Sequence, residues 1–586
     1  MKRLSRRRLL QAGAALGVAG VVPQTSTEVA AQTSGSPALD KFVQELPIPS
    51  VKEPDGQREG ADAYEFQQTE FTHSFHPDLP DTTVWGFDGS YPGPMVEAEQ
   101  GEPIHVRVDN SELPSDHLLT VDERVDGTTS ENYPNYDGPV PEVRTVTHFH
   151  GLELAPENDG QADMWTSPDG VTGPRFVNEW QELPMEQGRT TSTYHDHTLG
   201  ITRLNAYAGL VGLYSITTDE EESLDLPEGE YDVPLVIQDK SFNSDGSLSY
   251  PEGFVPQFLG DTAVVNGAAW PSLEVEPRRY RFRIVNGANH RSFDLGLRNE
   301  SGSGVPTMYQ FAPGHGFLES VVSIGSGGDL DSLLLTSFER AEIVVDFSDY
   351  AGQTLTLTNS AEMGPDLTEL VQFQVSDPDQ APSDPSADPT SLSLPSPTSY
   401  DEGDARTTRE MTLGVTVDED TGLITHTLNG FSYGDEGAEV YPRLGTTEVW
   451  ELVNESGGRH PIHLHLVTFR VIGRGPDGTE PPDPNERGPK DTVRVDAGET
   501  VRIIAEFSGY TGRFPWHCHM LEHEDNKMMI PFIVEDGSLR NYANEDGVID
   551  SDGLTDAIAD WRTSELETED LLEVIDYWRS GDEVGE

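Results

Sequence analysis

Trp516-His517-Cys518-His519-Met520-Leu521-Glu522-His523-Glu524-Asp525-Asn526-Lys527-Met528-Met529 holds the one cysteine of a 586-residue chain, with histidines on both sides of it. A thiolate beside imidazoles and a thioether is a soft ligand set that selects copper, and two histidines, a cysteine and a weak axial methionine describe a blue-copper centre. Cys518, His523 and Met528 supply three of those four ligands. The fourth must come from elsewhere. If residues 517 to 519 form a strand, side chains alternate between its faces, so Cys518 meets one metal while His517 and His519 meet another. That arrangement makes chemical sense for a redox relay.

Three more clusters carry the same signal: His148-Phe149-His150-Gly151, His195-Asp196-His197 and His460-Pro461-Ile462-His463-Leu464-His465. In extended chain each H-x-H pair places both imidazoles on one face, as a shared metal site needs. The four segments take ten of the seventeen histidines. The other seven, His73, His76, His105, His117, His290, His315 and His426, are scattered and read as surface or ordinary structural histidines. One H-x-H pair means little by itself, and a lone buried cysteine is usually a small hydrophobe. Four clusters, one of them built on the sole cysteine, argue together.

Outward from these motifs the chain divides. Met1 to Ala31 reads as a twin-arginine export signal, with Ser5-Arg6-Arg7-Arg8-Leu9-Leu10 ahead of an apolar run too short to span a bilayer. No other apolar run is long enough for a membrane helix. The length between signal and tail suggests three domains at about 100 to 200 residues each. Val106-Arg107-Val108-Asp109-Asn110, Phe282-Arg283-Ile284-Val285-Asn286 and Trp450-Glu451-Leu452-Val453-Asn454 are similar strand ends at a domain-sized period. Arg279 to Asn286, with Tyr280, Phe282 and Ile284 alternating against arginines, reads as a half-buried strand. Gly- and Pro-rich turns between short alternating runs predict an all-β fold of sandwiches.

The expected boundaries are 50–217, 228–376 and 405–537 for the three domains, 377–404 for an exposed Pro/Ser/Asp-rich linker, and 541–586 for an acidic tail. The tail has two stretches of helical apolar spacing: Leu554, Ala557, Ile558, Trp561, then Leu571, Leu572, Ile575, Trp578. It is read as two short amphipathic helices that dock on the body or on a partner. Residues 544–550 resemble half of a calcium loop, but the alignment puts Tyr542 and Gly553 where carboxylates are wanted, which argues against calcium.

With 37 basic against 104 acidic residues the formal net charge is −67, which excludes nucleic-acid binding. Disorder is the usual reading of such a charge, but the motif-rich alternating strands favour an acidic surface solvated in high salt. One cysteine rules out internal disulfides. Asn299-Glu300-Ser301 and Asn454-Glu455-Ser456 are glycosylation sequons, each a weak three-residue signal.

The motifs H-x-H-G, H-x-H, H-x-x-H-x-H and H-C-H-x-x-x-H-x-x-x-x-M, in this order, resemble the four copper motifs of the multicopper oxidases. The likeness runs from about Tyr64 to Val534 and is strongest to three-domain bacterial and archaeal laccases, spore-coat-type laccases and bilirubin oxidases included. Tyr91-Pro92-Gly93-Pro94 and Val265-Asn266-Gly267 look like family segments too, and the acidic composition suggests a halophilic archaeal member. The resemblance implies three cupredoxin-like Greek-key domains. It assigns His460, Cys518, His523 and axial Met528 to a type 1 copper, and His148 and His463 to a type 2 copper. His150, His195, His197, His465, His517 and His519 go to a coupled type 3 pair, making four copper ions. Glu524 and Asp159 match positions that relatives use to deliver protons to dioxygen.

These assignments imply a secreted laccase that takes single electrons from phenolic or aromatic amine donors at the type 1 site, through the edge of His523, and reduces dioxygen to water. Ligands from domains one and three must then meet at an interface, with domain two a spacer that helps shape the substrate side. A cuprous or manganous ion oxidase loses weight because the ten methionines form no cluster. A bilirubin oxidase stays open, and a copper-binding surface protein without turnover would be separated by oxygen uptake. A two-domain nitrite reductase is disfavoured by chain length and by the complete ligand set.

Overall fold

The computed structural model describes residues 35–377, 383–417, 424–536, 542, 548–563 and 568–581. The expected export signal and most of the calcium-loop-like segment lie outside them. The body is three two-sheet β-sandwiches in chain order. In the first, a sheet containing Ala61–His73 and Ile104–Glu112 faces one whose strands run Val96–Glu99, Val211–Thr217, Thr190–Asp196, Thr147–Phe149. A seven-stranded and a five-stranded sheet enclose the second core. In the third, a sheet containing Thr407–Val417 and Thr446–Asn454 faces Thr492–Val495, His460–Leu464, Gly512–Cys518, Met529–Val534.

The three repeated strand ends occupy equivalent places. Ile104–Glu112, Arg279–Asn286 and Thr446–Asn454 each pair in parallel with an earlier strand of their own sandwich. At or near the end of each stands an asparagine whose side-chain amide donates to the backbone of loops crossing the strand end: Asn110 to Thr166, Asn286 to Arg291 and Leu335, Asn454 to Gly458 and Val495. Buried backbone carbonyls need partners, and the asparagine supplies one. Asn454 is buried, and the Asn299 amide, also buried, donates to Ser303, Gly304 and Gln353; neither side chain is presented for a sugar.

One further expectation changes, and two others gain detail. The Arg279–Asn286 strand buries both faces: Tyr280, Phe282 and Ile284 enter the second core, while Arg281 and Arg283 pair with Glu221, Asp232 and Glu342 under the first domain. Alternation was legible, but a face of arginines can also be buried, at a desolvation cost, where carboxylates pair every charge. The linker is strapped down. Arg278 donates to the Ser383 carbonyl, Arg279 to the Ser386 carbonyl, Ala387 N–H to Asp225, and Pro389 is buried. The tail forms the two expected helices, Ser551–Thr563 and Thr568–Ser580, which pack on each other with Tyr542 and Ile549 as a small core of their own. Among the described residues no helix is long and apolar enough to cross a membrane.

Candidate metal centre

Period-two alternation builds the first half of the site. Along Gly512–Cys518, Phe514, Trp516 and Cys518 point into the third core, where Trp516 meets Trp450 edge-on at 5.7 Å. His517 takes the opposite face. The chain then turns into the short helix Leu521–Asp525, which carries His523, and Lys527 at φ +70° sends it back into Met529–Val534. Two backbone bonds lock this loop: Cys518 N–H to the Met528 carbonyl at 3.0 Å and Met528 N–H to the His523 carbonyl at 2.9 Å. Cys518 Sγ lies 3.5 Å from His460 Nδ1 and 3.6 Å from His523 Nδ1, and those two nitrogens are 3.2 Å apart. Met528 is fully buried in the same cluster. His460 Nε2 donates to Ser456 Oγ at 2.6 Å, and Ser456 donates to Asn454 Oδ1, which leaves the His460 Nδ1 lone pair facing the thiol.

On the other face, eight buried imidazoles from the first and third sandwiches meet. Sheet register sets them opposite one another: His148 pairs with His195, and His463 with His517. They gather into three groups with ligand atoms within 4.8 Å of each other: His148, His463, His465; His150, His195, His519; and His197, His465, His517. His148 and His150, His195 and His197, and His517 and His519 each divide between groups, whereas His463 and His465 share the first group and His465 also joins the third. Strand alternation puts a pair on one face, and each group is completed by histidines from other strands.

Outer hydrogen bonds orient the rings. His148 Nδ1 donates to the Asp159 carbonyl (2.6 Å), His195 Nδ1 to the Asp196 carbonyl (2.8 Å), His463 Nδ1 to the Asp491 carbonyl (2.9 Å) and His465 Nδ1 to Asp159 Oδ2 (3.0 Å). Glu524 lies 3.4 Å from His197 Nδ1 and 3.3 Å from His517 Nδ1. Asp159 and Glu524 thus stand behind the imidazoles. Burial pushes Asp159 up to about 8 and Glu524 up to about 7.

Two residues from the second sandwich, which no motif announced, reach this cluster. Phe338 stacks on His519 at 4.2 Å, and Arg340 grips Asp491 with two bonds of 2.8 and 2.7 Å. Asp491 Oδ2 also accepts from His315 Nε2 at 2.8 Å and lies 3.3 Å from His150 Nε2. Burial alone would raise the Asp491 carboxyl, yet Arg340 and the flanking imidazoles pull it well below the carboxylate range. On the thiol side His426 stacks on His523 at 3.8 Å and His290 meets it edge-on at 5.2 Å. The reading of His315, His290 and His426 as unrelated to the site is therefore wrong. Of the remaining four, His117 is structural, bonded to Leu119 and Asn205.

A metal fits this constellation. Outer acceptors hold the protons of His148, His195 and His463, and the inward nitrogens Nε2 of all three are buried without a hydrogen-bond partner. Burial pushes all ten imidazoles below the ordinary histidine range, so their lone pairs are free for a cation. Burial likewise pushes the Cys518 thiol up; a thiolate there needs a bound cation beside it. Unpaired buried polar atoms are costly, and cations among them remove the cost.

Comparison with known proteins places this arrangement. A family model described as "Multicopper oxidase" matches residues 389–538. A laccase of Haloferax volcanii is 76% identical over 580 residues, 99% of each chain. A laccase of Bacillus subtilis is 40% identical over 531 residues, covering 85% of this chain and 99% of its own. The crystal structure of McoA, a multicopper oxidase from Aquifex aeolicus, superposes with a TM-score of 0.68 at 26% identity, over 85% of this chain and 100% of that one.

Proposed function

The chain belongs to the multicopper oxidases, and from that premise we propose that it is an exported laccase, oxidising phenolic or aromatic amine donors one electron at a time while dioxygen is reduced to water. Copper supplies the redox chemistry: one ion held by His460, Cys518, His523 and Met528, and three held by the other eight histidines. The observation that carries this reading is the Gly512–Cys518 strand, where the thiol belongs to one ligand group and the neighbours His517 and His519 belong to two others. A few covalent bonds then join the place where an electron is taken up to the place where dioxygen is consumed.

The other residues have assignable work. Ser456 fixes the His460 ring, and Asp159, Asp491 and Glu524 fix the imidazoles between them. Asp159 and Glu524, whose carboxyls burial pushes up, are the groups that would pass protons to dioxygen. Fully buried ligands exclude bulk water from it. The Ser5-Arg6-Arg7-Arg8-Leu9-Leu10 segment supports twin-arginine export, and the net charge of −67 supports function in concentrated salt.

Replacing Cys518 with Ser tests the reading. The metal-replete variant loses both its intense blue colour and its oxidation of phenols. If the colour survives, the assignment of Cys518 is wrong. A panel of a phenol, bilirubin, Cu(I) and Mn(II), with oxygen uptake followed in molar salt, separates laccase activity from its rivals.

A further inference from the structure

Met529 follows the axial methionine in the chain but has a setting of its own. It pairs directly with His517 across the Gly512–Cys518 and Met529–Val534 strands, and directly paired residues of antiparallel strands share one face with Cβ atoms about 4.5–5.5 Å apart. Met529 is 1% exposed and belongs to a buried cluster with Tyr133, Trp165 and Tyr433. Thioether sulfur is polarisable and packs well against aromatic rings. Tyr433 is tied to the same loop by its N–H, which donates to the Lys527 carbonyl at 3.2 Å. An oxidisable sulfur thus lies between a ligating imidazole and three oxidisable rings.

Those rings continue to the surface. Trp165 Nε1 donates to the Tyr133 hydroxyl at 2.9 Å, with centroids 6.2 Å apart. Tyr136 follows, 5.3 Å from Tyr133 and 6.3 Å from Trp165; it is half-buried, and its hydroxyl donates to the Thr172 carbonyl at 3.3 Å. The Tyr433 hydroxyl donates to Asp163 Oδ2 at 2.9 Å, and that oxygen also pairs with Arg175 Nε at 3.1 Å. Packing explains buried rings with partners at their polar ends. It does not ask for phenol and indole rings in unbroken order from a copper ligand outward, nor for a carboxylate placed to take a phenolic proton. Trp516, the chain neighbour of His517, shows the contrast: its indole meets Trp450, and Trp450 meets Phe507 and Phe532. Phenylalanine holds its electrons too tightly to carry a charge onward, so that route ends in the core.

We propose that Met529, Tyr433, Trp165, Tyr133 and Tyr136 form a second electron supply, used when dioxygen among the imidazoles is left short of an electron. Tyr433 gives that electron by way of Met529 and His517; its O–H bond breaks, the proton goes to Asp163, and a neutral tyrosyl radical remains. An electron drawn outward-in from Tyr136, through Tyr133 and Trp165, then reduces the Tyr433 radical, which recovers its proton from Asp163, while the Tyr136 proton goes to solvent. At the surface a phenolic donor gives one electron and one proton and restores Tyr136. The sum is one phenol oxidised to its phenoxyl radical and one electron delivered to dioxygen, so an interrupted reduction is completed without oxidising a ligand. This proposal rests on the oxidase reading.

The test uses copper-loaded Cys518→Ser protein, which keeps the three ligand groups of the histidine cluster. Reduced with dithionite, three copper ions carry three electrons, and dioxygen takes four. The reduced protein is mixed with dioxygen, freeze-quenched and read by electron paramagnetic resonance. A radical signal appears that narrows when the tyrosines are ring-deuterated, and it is largely lost when Tyr433→Phe is added, with copper content showing the cluster intact. Phenol added after mixing discharges the radical quickly, and slowly when Tyr136→Phe is added. In the otherwise wild-type protein, turnover with scarce phenol leaves more sulfoxide at Met529 by mass spectrometry once Tyr433 is Phe. Dioxygen consumed by the reduced protein with no tyrosyl signal, or the same signal with Tyr433→Phe, would overturn the supply; equal discharge with and without Tyr136→Phe would overturn the exit. If wild-type protein takes up no oxygen with any phenol, it is the oxidase reading that fails.

Discussion

Asp491→Asn separates metal binding from folding at one carboxylate. The side chain is fully buried and holds Arg340 with two bonds, at 2.8 and 2.7 Å, while accepting from His315 and lying 3.3 Å from His150. The amide is isosteric but neutral. Breaking a buried ion pair by removing one partner costs about 3–5 kcal/mol, a large part of a stability of about 5–15 kcal/mol but not all of it. Losing an acceptor behind a ligating histidine typically costs about 10- to 100-fold in metal affinity, or about 1.4–2.7 kcal/mol at 1.36 per decade. The effect should fall on the group of His150, His195 and His519. His463 is spared, because its Nδ1 donates to the Asp491 backbone carbonyl, which the substitution keeps. Copper per chain under chelator competition, with calorimetric unfolding, reads both losses, and the blue band of Cys518 should be unaltered. Adding Arg340→Met removes the stranded charge, so the double variant regains most of the thermal stability and none of the copper affinity. Wild-type copper retention in the single variant would refute the claim that this carboxylate positions the site.

Three other outcomes are expected. Asp525 accepts from the Thr202 and Arg203 N–H groups and from the Arg203 guanidinium, tying the third sandwich to the first; Asp525→Ala strands a buried arginine and should lose about 3–5 kcal/mol, and an unchanged melting temperature argues against that tie. Ser456→Ala removes the acceptor that orients His460, so the blue band should shift and its copper dissociate about tenfold more readily with the other three coppers retained; an identical spectrum and affinity would show the bond to be idle. Dialysis from molar to 0.1 M salt lengthens the Debye length from about 3 to about 10 Å and lets acidic side chains repel one another across the surface, so activity and melting temperature should both fall; full retention would exclude dependence on salt.

The histidine clusters and the lone cysteine were legible because metal binding demands particular side chains at fixed spacing, and the β fold because apolar residues recur with period two. What the sequence hid depends on pairing between strands far apart. Asp491 is one of 104 acidic residues and Arg340 one of 37 basic ones, with nothing local to mark either until the Thr492–Val495 strand is laid beside His460–Leu464. His426 stands alone in its segment and gains meaning only from register and from the folding of the 521–525 helix under it. Asn454-Glu455-Ser456 is a weak signal for a related reason: the same three residue types serve a sugar acceptor and a tight buried turn, and only burial tells them apart. Arg281 and Arg283 show that alternation reports which face a side chain takes, not whether that face is wet.

The second sandwich is more than the spacer its lack of copper motifs suggested. Phe338, Glu339 and Arg340 are consecutive, and each meets the third sandwich: Phe338 on His519, Glu339 on Lys490 at 3.0 Å, Arg340 on Asp491. At the donor side the second sandwich supplies His290 and the Pro256 carbonyl against His523. All the ligating side chains come from the first and third sandwiches, and imidazoles at such an interface hold copper only if their rings cannot turn and water cannot enter. The bonds to Asp491 and the Phe338 stack meet both needs from outside the ligand-bearing domains. A protein made of those two domains alone would therefore keep every copper ligand and still bind copper poorly, because the groups that fix and cover the His150 and His519 rings would have gone.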